Sequence, residues 1–104
     1  MAKTKYEIEM DYRKACAAAD DLEQVAKRIR RIDDDHLDQL LSSVADAWQG
    51  DNASLFVKKG NKIQIQIEDR ARMISQIADT LRQMATAMHD AEITNIEIAT
   101  QETR

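Results

Sequence analysis

Proline is absent from these 104 residues, and glycine occurs only at Gly50 and Gly60. Because proline and glycine are the residues that most strongly interrupt helices, a chain built on Ala, Glu, Gln, Lys, Arg, Leu and Met has few places where a helix must stop. Gly50 is the best of them. Before it, Ile8, Tyr12, Ala15, Ala19, Leu22, Val25, Ile29 and Ile32 recur at spacings of three and four, and after a phase slip Leu37, Leu40, Leu41, Val44 and Trp48 resume the stripe. The spacing predicts one helix over about 5–48.

Beyond Gly50, Phe56, Ile63, Ile67, Ile74, Ile77, Leu81, Met84, Met88, Ala91 and Ile98 fit a heptad-like seam, interrupted mainly at Gly60, Arg70 and Asn95. A second helix is predicted over about 52–99, with a turn at 48–51. The stretch KIQIQIE, residues 62–68, alternates like a strand, but helical spacing runs through it on both sides and leaves Ile65 pointing away from the seam. A left-handed Gly50 would end the first helix, and Asp51 or Asn52 would accept hydrogen bonds from the first amides of the second. Gly60, in a helix interior, invites close packing or is a local imperfection.

The expected fold is all-α: a single domain over residues 1–104, formed by a two-helix antiparallel hairpin. Aromatics make up 4% of the chain against 43% hydrophobic residues overall, so its core must be aliphatic. Helices of roughly 40 residues would run about 60 Å, and so thin a hairpin cannot cover both apolar faces. A second hairpin is therefore expected against it, giving a dimeric four-helix bundle. Leu22, Ile29, Phe56, Ile63, Ile67, Ile74 and Leu81 are the predicted core and dimer contacts. The mixed aliphatic seam leaves homodimer and heterodimer both open.

Several function classes are disfavoured. The formal net charge of −4 offers no general attraction to nucleic acid or anionic lipid. The basic run KRIRR, residues 27–31, reads as a charged outer surface around Ile29, with no interleaved aromatics on which bases could stack. No apolar stretch approaches the roughly 20 residues that span a bilayer, and the N-terminal stretch lacks the apolar core of a signal peptide. In RRIDDDH, residues 30–36, consecutive helical positions point in different directions, so Asp33, Asp34 and Asp35 cannot converge on a metal. That segment coincides with the phase slip and suggests a local bend or stutter. Cys16, the single cysteine, reads as a small core residue, and no base near it in sequence would activate a nucleophile. His36 and His89 are far apart. No catalytic residues, cofactor or metal are expected, and enzymatic activity is not.

Trp48-Gln49-Gly50 at the corner of a helical hairpin of this length resembles the WXG family of small type VII (ESX-type) secretion proteins, which are early-secretory-antigen-like. The tail LRQMATAMHDAEITNIEIA, residues 81–99, looks like that of Gram-positive members. The resemblance implies a protein that folds in the cytoplasm, pairs with itself or a similar WXG-type chain, and leaves the cell through a membrane ATPase without a cleavable signal peptide. It further implies that Trp48, Gln49 and Gly50 of one subunit and the tail of its partner present the export signal. The family's tail pattern, Tyr-x-x-x-Asp/Glu, has no tyrosine here; its nearest equivalents are Met88 with Glu92, or His89 in the local aromatic position. Trp48 itself has two readings, an apolar plug for the bundle end burying on the order of 150–250 Å² or a partly exposed docking anchor. Ile93 and Ile96, off the main seam, would pack on the partner or be recognised in export. An alternative role is a helical adaptor or chaperone for a larger type VII toxin cargo. A third is an intracellular dimerisation module.

Overall fold

The computed structural model describes Lys3–Trp48 and Gly50–Glu102. Among these residues there is no strand: the first arm comprises α1 (Lys5–Arg31), a π-helical segment (Ile32–Leu37) and α2 (Asp38–Ala47), and the second is the single helix α3 (Asp51–Glu102). KIQIQIE lies wholly inside α3, so the helical period prevails over the short alternation. α1 begins at a Thr-x-x-Glu sequence, in which Thr4 Oγ1 accepts the Glu7 amide at 3.1 Å.

The π segment explains the phase slip. Its wider turn is marked by the Asp38 amide, which donates to the Asp33 carbonyl five residues back. A strict seven-residue spacing from Ala19 and Ala26 would place Asp33 and Leu40 inward. Instead Leu41 is buried, while Leu40 faces solvent. One extra residue in the turn thus brings Leu41 to the inner face, and leaves Asp33 half-buried where the old phase would have put it.

The chain forms two compact units. In the first, residues up to Leu22 lie antiparallel to the part of α3 from Gln76 onward, with Ile8, Ala19, Ala78 and Ala85 buried. In the second, Glu23–Ser75, the buried residues are Ala26, Leu41, Ala53, Gly60 and Ala71. The inward column of α3 is therefore Ala71, Ala78 and Ala85, seven residues apart. Small side chains let two helix backbones approach closely. Gly60 belongs to the same pattern: a methyl group there would overlap the Leu41 side chain, whose Cγ lies 3.1 Å from its position. The close-packing reading of Gly60 is the one its surroundings fit.

This inner column differs from the bulky seam visible in the sequence. Of the predicted core and dimer contacts, Leu22, Ile29, Ile67, Ile74 and Leu81 are half-buried, whereas Phe56 and Ile63 are exposed. Exposed with them at seven-residue spacing are Ile77, Met84 and Ile98. They stand one residue before the buried column, and one residue is about 100° around a helix. The hairpin closes on alanine and carries its larger side chains on a flank.

The opposite flank is polar. Arg30 meets Glu68 at 3.3 Å, Ser75 Oγ donates to Glu23 at 2.6 Å, Arg82 meets Asp20 at 2.9 Å and His89 meets Glu9 at 2.8 Å. On α3 these are residues 68, 75, 82 and 89, again spaced by seven and four residues past the buried column. Exposed pairs of this kind contribute about 1 kcal/mol or less each, so their main effect is to fix which flank faces water.

Candidate functional site

At the corner, α2 ends when Trp48 turns to extended backbone, φ −113° and ψ 131°, its amide still donating to the Val44 carbonyl at 2.9 Å. Gly50 follows at φ +108°, a conformation that side-chain-bearing residues rarely adopt. Nothing lies within 4 Å of where its Cβ would be, so the backbone angle and not crowding is what requires glycine. The Ser54 amide then donates to the Gly50 carbonyl at 3.2 Å and opens α3. Gln49 lies outside the described residues.

The indole of Trp48 is 61% exposed. It borders an open groove lined by the apolar Ala45, Ala53 and Val57 and the polar Ser54, Lys58 and Asn61. Within its own chain, then, Trp48 is not a plug. A large flat side chain beside a groove of mixed apolar and polar lining suits recognition of an apolar or aromatic group.

The tail residues belong to the other unit. Met88 is exposed, and His89 and Glu92 are half-buried along the same stretch of α3, beside Ile8 and Tyr12 of α1. His89 is held on three sides. Its Nε2 lies 2.8 Å from Glu9, its Nδ1 3.1 Å from Asp90, and its ring meets Tyr12 edge-on at a centroid distance of 4.9 Å. Both ring nitrogens can donate only in the imidazolium form. The hydrogen bond to Glu9, and then that to Asp90, raises the His89 pKa above its ordinary value, while the same bond lowers that of Glu9. Glu92 accepts from Lys3 at 3.4 Å, and Lys3 also bridges Asp11 at 2.9 Å. His89 is therefore a clasp between the two arms in this unit, a role its neighbours in sequence do not reveal.

A pH dependence follows. A raised His89 pKa contributes stability that is full below about 6.5, the ordinary imidazole value, and is lost as pH rises through the folded value. A lowered Glu9 pKa contributes above about 4.5 and is lost as pH falls through its folded value. Protection of the amides of residues 5–12 from hydrogen exchange, corrected for intrinsic rates, should be greatest between those values and decline above them. In Glu9→Gln the imidazole, followed by NMR, should titrate at lower pH than in the wild type.

Arg30 of the basic run pairs with Glu68, and Cys16 is half-buried. Among the described residues no group of three His, Cys, Asp or Glu side chains could hold a metal. No helix among them is long and apolar enough to cross a membrane. Ile93 and Ile96 are half-buried near the start of α1, Ile96 lining a groove with Ile8 and Ala99.

An alanine-closed helical hairpin with a Trp-x-Gly corner defines a class of small helical proteins. The chain belongs to the WXG100 family, described as proteins of 100 residues with WXG, whose sequence model matches residues 7–93. It is a family of small WXG-motif proteins of type VII secretion. No curated protein and no solved structure gives a significant match.

Proposed function

We propose that this protein is a non-enzymatic substrate or co-secreted partner of a type VII secretion system, exported as a folded helical hairpin paired with a similar hairpin. Family membership supports the route. The observation that carries the site is the exposed indole of Trp48 on a corner fixed by Gly50, where an aromatic anchor is held ready for the membrane ATPase. Met88, His89 and Glu92 form the tail half of the signal, either as Met88 with Glu92 at the spacing of the family's pattern or with His89 in its local aromatic position. The flank carrying Phe56, Ile63, Ile77 and Met84 receives the paired hairpin, since burying such side chains contributes about 1.5–3 kcal/mol each.

Trp48→Ala tests the export role. Because the indole is mostly in water, the variant should unfold at nearly the wild-type temperature and accumulate to wild-type levels inside the producing cell. Its level in the culture medium should fall by about tenfold or more, as expected for loss of an anchoring aromatic. Equal export of the two proteins would reject the corner as a signal.

A further inference from the structure

Several arginines of the hairpin have an answering charge: Arg30 has Glu68, Arg72 has Asp69 at 3.6 Å, and Arg82 has Asp20 and Asp79, both at 2.9 Å. Arg70 is different. It occupies the outward column of α3 that also carries Phe56 and Ile63, is exposed, and makes no ion pair or hydrogen bond among the described residues. The positions one helical turn away, Gln66, Ile67, Met73 and Ile74, include no acid. Asp69, adjacent in sequence, is engaged by Arg72. On the first arm of the same unit, the corresponding flank is Val25, Ile32 and Leu40.

In water this guanidinium is solvated and harmless. Covered by an apolar partner it would lose its hydration with nothing in return, which is the costly case for a buried charge. A second copy of the chain brings the same flank, with apolar side chains and another arginine but no carboxylate at these positions. We infer that Arg70 selects the partner: this flank takes a helical hairpin that is not a copy of this chain and that presents a carboxylate to Arg70. The inference rests on the pairing role proposed above and names the chemistry of the paired chain. Arginine suits the task, because its planar fork engages a carboxylate through two parallel hydrogen bonds.

The test uses the full chain and copies of it as probes, with mass followed by light scattering across dilution and helicity followed by circular dichroism. Wild type should self-associate weakly, and Arg70→Leu should self-associate roughly 10- to 100-fold more tightly while staying equally helical. Copies bearing Phe56→Glu, Ile63→Glu, Ile67→Glu or Ile74→Glu supply a carboxylate on the same flank. At least one should pair with wild type more tightly than wild type pairs with itself, and that gain should vanish against Arg70→Leu. Failure of either result overturns the selection by Arg70. The underlying pairing role fails separately, if adding Ile63→Asp to Arg70→Leu leaves its self-association unchanged.

Discussion

Ala78→Leu should destabilise the hairpin by about 2–3 kcal/mol, although it makes the chain more hydrophobic. Ala78 is 0% exposed and belongs to the column on which the two arms close, so three added carbons must force the helices apart or take strained rotamers. The gain in apolar content cannot offset this, because the new atoms have no space to fill. Ile77, one residue earlier, is 51% exposed. Ile77→Ser should change the stability of the unpaired chain by about 0.5 kcal/mol or less. Urea unfolding followed by helicity measures both. The contrast is the point: a bulky substitution at 78 is severe and a polar one at 77 is mild, the reverse of what a seam read from side-chain size would give.

Gly50→Val should cost about 2–3 kcal/mol, for a reason confined to the backbone. At φ +108° a β-branched residue meets its own main chain, and the empty space around the site gives the side chain no contact in compensation. Gly50→Asn should recover about 1 kcal/mol or more of that loss, because asparagine enters positive φ more readily. A domain of this size loses about 4–8 °C of midpoint per kcal/mol, so thermal unfolding separates the two variants clearly. If they unfold together, the positive φ is not what fixes the corner.

Much of this architecture is legible in the sequence because helix breakers are so few. The absence of proline, the position of Gly50 and the three-four spacing on both sides give two arms and one corner. The slip between Ile32 and Leu37 is visible as a break in phase, and its form as a π turn follows from Leu41, not Leu40, being inward. What the spacing hides is which column closes the hairpin. Large apolar side chains at 56, 63, 77, 84 and 98 make the more conspicuous heptad, and alanine at 71, 78 and 85 attracts no notice in a pattern weighted by hydrophobicity. Helix packing reverses that weighting, since small residues permit the closest approach of backbones. The polar flank carried a readable signal in Glu68, Ser75, Arg82 and His89, one per heptad. The pairing of His89 with Glu9, 80 residues apart, becomes predictable only once the antiparallel register is known.

The corner and the tail were named from the resemblance, and the structure adds their local chemistry. Trp48 is mostly exposed beside a groove, and Gly50 carries the positive φ of the corner. At the tail, His89 meets Tyr12 edge-on and is held between the carboxylates of Glu9 and Asp90.

The central claim is that the bulky flank is left open for a second hairpin while alanine closes the first. It is tested most directly by the native mass of the protein purified from cells that produce it, for wild type and for Ile63→Asp. The account predicts that wild type is recovered in a complex of about two hairpins and that Ile63→Asp is recovered as a helical 11.9 kDa monomer. A variant that keeps both its helicity and the wild-type mass would contradict it.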